Sequence, residues 1–304
     1  MRITMRKEDC SRKNCGLRWD TVLVGPQVDD RGKRASDCVR AMSRDAIELS
    51  YNPETMQIAL GQKTLETDEL DGALSAFKEQ AIVLETTTLG FVEILLCCRS
   101  LMTAGTKKLD MLYMEPGSYR APKRMNNVLE RRDFELSNDI IGFEGIPGTA
   151  FDLDGSQRQT VVFTVGYEGG RLDRAFEQLP LNPSRSRIVF GVPAFQPGWE
   201  MDAFSNNVRV MRERELGLGV SFCGAENPLA TMQVLEQLYR GENQGDFFVA
   251  TIGTKPHAIG AALFVCKHPD VGVLYDHPRR RPGRSKDCGC CHIFHVEFGA
   301  DYET

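Results

Sequence analysis

The sequence predicts an α/β fold with largely parallel sheets and flanking helices, arranged as two α/β units. Three observations predict it. Short apolar runs alternate with amphipathic stretches through both halves of the chain, the pattern of strands followed by covering helices. Between the halves, 117–159 shows no sustained period and is rich in Gly and Pro. At 304 residues the chain is long enough to bury two modest cores. The expected organisation is an N-terminal α/β domain over 1–120, a linker or elaborated loop over 121–158, and a C-terminal Rossmann-like ligand-binding domain over 159–304.

In the first half TVLVG (21–25) reads as a strand, and Arg34 to Met42 as the helix that follows it. AIELSY (46–51) and QIALG (57–61) are further strands, with a helical segment from about Glu69 to Lys78. AIVLETTT (81–88) leads into the helix LGFVEILLCCRSL, and LDMLYMEP (109–116) closes this half. The middle segment carries the basic residues Arg120, Lys123, Arg124, Arg131 and Arg132, which read either as a solvated face or as a ligand or partner surface.

The second half keeps a cleaner rhythm. TVVFTVG (160–166) precedes a helix with Leu172, Ala175, Phe176 and Leu179 at helical spacing. RIVFGVPA (187–194) precedes a helix expected to present Met201, Phe204, Val208 and Met211 on one face. GVSFCGA (219–225) precedes PLATMQVLEQLY, whose Pro228 suits a first helical turn. DFFVATIG (246–253) precedes an Ala/Gly-rich helix, and VGVLYDHP (271–278) precedes a last strand, CHIFHVEF (291–298).

Composition narrows the function. A hydrophobic share of 41% and a charged share of 26% are those of an ordinary globular protein. A net charge of −5 argues against sequence-independent nucleic-acid binding. No apolar run is long enough to span a membrane, and the basic MRITMRKEDCSRKNC lacks the apolar stretch of a secretory signal. With ten cysteines, the expectation is a cytoplasmic protein with reduced thiols and no membrane partner.

In open parallel sheets, ligands bind beyond the carboxyl ends of the strands. In the second half those ends carry a recognisable set of residues. The first loop offers Gly166, Tyr167, Gly169, Gly170 and Arg171; the second offers Phe195 and Trp199. Glu226 follows the third strand, and Thr251, Gly253, Thr254, Lys255 and His257 follow the fourth. The fifth is followed by Asp276, His277 and RRRPGRSK, with Arg280, Arg281 and Arg284 as a possible clamp on phosphate. Glycines admit backbone N–H groups to an anion, and a helix N-terminus adds partial positive charge. Lys and Arg donate to phosphate oxygens, and aromatic rings stack on bases. The alternative for each loop is a plain turn, with the aromatics as satellite core and the arginines as a solvated hairpin.

The order strand, Thr251-x-Gly253-Thr254-Lys255, small apolar helix resembles a motif of CARF-type Rossmann domains and of the related SAVED sensors of prokaryotic antiviral systems. The resemblance covers the second half of the chain. It implies a pocket lined by Thr251, Gly253, Thr254 and Lys255 under a nucleotide second messenger, with Gly166 to Arg171 as the partner loop. His257 stands where that family often has methionine, and no effector domain is recognisable.

CGCCHIFH packs Cys288, Cys290, Cys291, His292 and His295 into eight residues, yet it lacks a CxxC knuckle. It reads as a half-buried strand with incidental thiols, zinc being the alternative; strand alternation puts His292 on one face and Cys291 with His295 on the other. No nucleophile elbow, HExxH, Walker loop or GxGxxG is present. Acid–base candidates are His257, His277 and Glu226. The leading expectation is a nucleotide-binding or nucleotide-sensing module of a larger system, a homo-oligomer with a protein partner and no fixed cofactor besides the nucleotide. An enzyme acting on a nucleotide or phosphorylated small molecule at the same rim is the alternative, and a protein-binding scaffold the third.

Overall fold

The computed structural model describes residues 1–8, 18–119, 134, 136–216, 219–242 and 245–299. The basic cluster at 120–132 falls outside them. The chain forms two compact units, residues 1–119 with 282–304 and residues 120–281. Among the described residues no helix is long and apolar enough to cross a membrane.

The first unit opens with β1 (Arg2–Glu8), β2 (Trp19–Val24), α1 (Asp30–Met42) and β3 (Ser43–Asn52). It continues with β4 (Gln57–Leu60), β5 (Lys63–Glu66), α2 (Leu70–Ser75), β6 (Ile82–Glu85), α3 (Phe91–Thr103) and β7 (Lys108–Tyr119). Helix α1 starts where Asp29 accepts the Gly32 amide at 2.8 Å, a side-chain cap on an otherwise orphaned donor. Its apolar stripe, Ala35, Val39 and Met42, packs on Val22, Val24, Val83, Leu112 and Met114.

The second unit contains β8 (Ser137–Ile140), β9 (Thr160–Val165), α4 (Gly169–Gln178), β10 (Ser186–Gly191), α5 (Trp199–Glu213) and β11 (Val220–Cys223). It ends with α6 (Pro228–Gly241), β12 (Phe247–Thr251), α7 (Lys255–Lys267), β13 (Gly272–Leu274) and β14 (Pro278–Arg280). Its main sheet has the order β11-β10-β9-β12-β13, every pairing parallel. Aromatic contacts divide its faces: Phe163 meets Phe176 of α4 and Phe190 stacks on Phe204 of α5, whereas Phe247 meets Tyr239 of α6 and Phe264 of α7. β8 and β14 form a separate antiparallel ribbon.

The last strand, β15 (Ser285–Glu297), belongs to the first unit. It lies between β1 and β7, antiparallel to both, in a mixed sheet of order β1-β15-β7-β6-β2-β3-β4-β5. Only β3, β2, β6 and β7 are mutually parallel there.

Three expectations are corrected. The second unit ends at Arg281, because β15 pairs with β7 rather than with the second sheet. The segment expected as linker is in its described part integral to the second unit: β8 pairs β14, and Val273 donates to the Thr149 carbonyl. Helix α5 is turned differently from its apolar pattern. Met201 and Val208 are exposed, and Ala203, Asn206, Asn207 and Val210 face inward. The amides win that face because they satisfy loop carbonyls: Asn206 donates to Tyr167 O at 2.7 Å and Asn207 to Gly166 O at 2.8 Å.

Candidate functional site

The chain leaves β9 towards α4 and α5 on one face of the second sheet, and leaves β12 towards α7 beside α6 on the other. Between the carboxyl ends of β9 and β12 the connections therefore diverge, which opens a crevice in sheets of this kind. Gly166 and Gly253 meet there. A Cβ on Gly253 would lie 3.1 Å from Val165 O, and one on Gly166 would lie 3.4 Å from the Gly253 Cα. Beside them Gly191 ends β10, where a Cβ would fall 2.9 Å from the Ala225 Cβ and 3.3 Å from the His257 ring. Side chains are excluded here because backbone and His257 already occupy the space.

Polar groups gather under this edge. Thr164 and Thr251 are register partners on β9 and β12; both side chains are buried, and neither hydroxyl has a hydrogen-bond partner. His257, on the first turn of α7, is fully buried with Nε2 3.2 Å from Gly224 O and 3.5 Å from Cys223 Sγ. A carbonyl only accepts, so the ring proton sits on Nε2 and Nδ1 keeps its lone pair, which meets no partner. Burial pulls the His257 pKa down to about 4 against the weaker opposing pull of its hydrogen bonds, so the ring is neutral at physiological pH. Burial likewise raises the Cys223 thiol, which stays protonated.

The charged groups are mutually engaged. Arg171 is buried and forks onto Asp276, Nε to Oδ2 at 2.7 Å and Nη2 to Oδ1 at 2.5 Å, with Glu168 at 3.8 Å. Burial disfavours its charge, but the Asp276 carboxylate outweighs this and holds the guanidinium protonated well above its ordinary value. Glu168 also accepts the Leu136 and Ser137 amides, tying the β8–β14 ribbon to the β9–α4 loop. Arg171 thus carries no net charge surplus to the rim.

The expected site residues sort accordingly. Gly166, Tyr167, Arg171, Thr251, Gly253, Thr254 and His257 come together at this edge. Thr254 is the N-cap of α7 and donates to Ala225 O at 2.7 Å; Lys255 is the first residue of that helix and half-buried. Tyr167 meets Trp199 edge-on at 5.9 Å, on the α4–α5 side. Phe195 and Glu226 lie half-buried in the loops after β10 and β11. Gly169 and Gly170 are the first residues of α4 rather than a separate loop, and a Cβ on Gly170 would touch nothing within 4 Å. His277 is buried after β13 at a φ of 46° and packs edge-on against Tyr275.

The arginine segment does not form one loop over the rim. Arg280 is in β14, paired to β8, and the Arg281 amide donates to Leu136 O. Arg284 belongs to the first unit, 3.7 Å from Asp29. In CGCCHIFH, Cys291 packs under α1, His295 bonds Asp110 at 2.7 Å, and His292 turns to the other face to meet Glu115. The eight cysteines among the described residues are thiols outside any disulfide.

Sequence reading missed Thr164, Gly191, Asn206 and Asn207. Thr164 had a signal, a threonine on the same strand parity as the loop glycine two residues later. Asp276 was placed at the rim, but its pairing with Arg171, 105 positions away, had no signal in the sequence. No protein-family model and no curated protein matches the chain.

Proposed function

We propose that the second unit is a Rossmann-like domain that binds a nucleotide at the carboxyl edge of its sheet and acts as the sensing module of a larger system. One observation carries the reading: at the divergence between β9 and β12, glycines let the two loops pack backbone against backbone, and three buried polar atoms, Thr164 Oγ1, Thr251 Oγ1 and His257 Nδ1, stand without partners. Buried polar groups left unmatched cost about 1–3 kcal/mol each, and a ligand that satisfies them recovers that cost. Strand order supports the same reading, with β9 central and the chain crossing to β12 after β11. Because Arg171 is neutralised by Asp276, phosphate would be held by backbone N–H groups at the start of α7 and by Lys255. The lone pair of His257 suits a ligand hydroxyl or amine. Its low basicity makes it a poor general base at neutral pH, which favours binding over turnover. The resemblance of the Thr251–Lys255 loop to second-messenger sensors points the same way.

The test is a thermal-shift screen over mono-, di- and cyclic nucleotides, followed by chromatography of the bound compound. A ligand at about a hundredfold its Kd should add ~2.7 kcal/mol of stability, and the Lys255→Ala/Thr251→Val variant should lose that gain. An intact nucleotide on recovery supports sensing; a converted one turns the reading to an enzyme. No stabilisation by any nucleotide overturns it.

A further inference from the structure

The second unit leaves one edge of its sheet and one stripe of a helix uncovered, side by side. β11 is an outer strand, paired only with β10 among the described residues. The Ile188 amide donates to Gly219 O and the Val192 amide to Cys223 O. Ladder alternation therefore turns the backbone groups of Val220 and Phe222 away from the sheet. The opposite edge is closed: the Val273 amide of β13 donates to Thr149 O at 3.1 Å, and Tyr275 bridges to Glu144. An open edge is a template for another strand, and natural sheets blunt it with Lys, Pro or a covering loop. Val220-Ser221-Phe222-Cys223 contains neither Lys nor Pro.

Helix α5 lies over this edge. The Phe204 ring centroid is 4.2 Å from that of Phe190 on β10 and 5.9 Å from that of Phe222 on β11. The core takes Ala203, Asn206, Asn207 and Val210 of α5, and Arg209 reaches sideways to Asp173 of α4. The stripe Met201, Phe204, Val208 and Met211 is thereby turned to the other side, towards the β11 edge. Met201 is 66% exposed, Val208 44% and Phe222 51%. With Phe204 between them these residues make one apolar surface, and a joined surface of this kind marks a contact site.

Both features are palindromic. Met201 and Met211 are equally far from Asn206 in sequence, as are Phe204 and Val208, and so are the flanking Glu200 and Arg212. Two antiparallel copies of α5 crossing at the level of Asn206 would set Phe204 against Val208, Met201 against Met211 and the acid against the base. On β11, antiparallel pairing about Ser221 would match Val220 with Phe222 twice, using their outward donors and acceptors. The two centres lie at one height. Phe204 and Phe222 are neighbours, and each stands about 3 Å beyond its own centre towards the carboxyl ends of the strands.

We propose that the protein forms a two-fold symmetric dimer with a second copy of itself, β11 pairing antiparallel with β11 and α5 packing against α5. An axis normal to the sheet keeps both helices on one face, and strand spacing puts them within about 10 Å, an ordinary packing distance. A two-fold contact needs one self-complementary patch, which is what the two palindromes supply. The dimer stands independently of the ligand that the sheet edge takes.

The test is sedimentation velocity of the full-length protein from low to high micromolar concentration, where a dimer is expected. Val208→Glu alters an exposed residue, so the fold and its circular dichroism should persist. It should raise the dimer dissociation constant roughly tenfold or more, since the charge is buried on both sides of the axis. Arg212→Glu should weaken the dimer, and Glu200→Arg added to it should restore association. Ser221 would face its own copy with Cα atoms about 4.5 Å apart, a span that a disulfide bridges. Ser221→Cys should therefore cross-link under mild oxidation through a 221–221 peptide, read by mass spectrometry against the wild type. A monomer at every concentration overturns the proposal. A dimer that Val208→Glu leaves at full strength, or one in which Ser221→Cys forms no such cross-link, overturns it too and places the interface on another surface.

Discussion

His257 shows at the scale of one residue how burial sets chemistry. Its ring is enclosed by Gly191, Ala225, Cys223 and Gly224, and its pKa falls to about 4 from an ordinary 6.5. Between those values the unfolded chain binds a proton that the folded chain refuses. Stability therefore rises with pH through this window, is complete above about 6.5, and is lost as pH falls towards 4. The linkage is on the order of 3 kcal/mol. Denaturant unfolding at pH 7 and pH 4.5 should show a smaller difference for His257→Gln than for the wild type, since glutamine does not titrate. An equal difference would mean that other groups govern the acid response.

Two element-level contacts hold the second unit's layers in register. Gly260 sits mid-way along α7, where glycine costs about 1 kcal/mol against alanine, yet a Cβ there would lie 2.4 Å from Pro228 O and 2.7 Å from the Thr231 Cβ. The close crossing of α6 and α7 requires it. Gly260→Ala should destabilise by roughly 1–3 kcal/mol despite its better helix propensity, measured as a lower denaturant midpoint. The second contact is Arg171–Asp276, which ties the first turn of α4 to the segment after β13. Asp276→Asn leaves the guanidinium with the Glu168 carboxylate at 3.8 Å and the Ile252 carbonyl at 3.4 Å and should cost about 3 kcal/mol. Arg171→Met combined with Asp276→Asn should recover most of that loss. Additive costs in the double variant would show that the two side chains act separately.

Over the whole molecule, the chain builds most of one sheet, then all of a second, then returns to finish the first. β1 has β15 as its partner, and β15 also covers the edge of β7. A chain ending at Arg281 should thus lose β15 and the pairing of β1 while keeping β9 to β13 complete. Limited proteolysis should cut within 1–119 at once and spare 160–274 much longer. Equal resistance of both segments would mean that the first sheet holds without its last strand.

Strand and helix positions were largely legible in the sequence because periodicity is a local property. TVVFTV, RIVFG and FFVAT are strands, and Asn227-Pro228 and Thr254-Lys255-Pro256 begin helices as capping chemistry requires. The convergence of the Gly166 and Thr251–Lys255 loops at one edge was also readable, since parallel strands release their carboxyl ends together. Tertiary structure alone decided the rest. CHIFHVEF carries the same apolar pattern whichever sheet accepts it, and only the free edges of β7 and β1 sent β15 to the first unit. The outward turn of Met201 and Val208 came from loop carbonyls that needed Asn206 and Asn207, a demand absent from the helix's own sequence. Arg171, read from its place in the first strand-end loop as a ligand residue, is neutralised by Asp276. Charge type is written in the sequence. Charge balance depends on distances between residues far apart in the chain, and folding sets those distances.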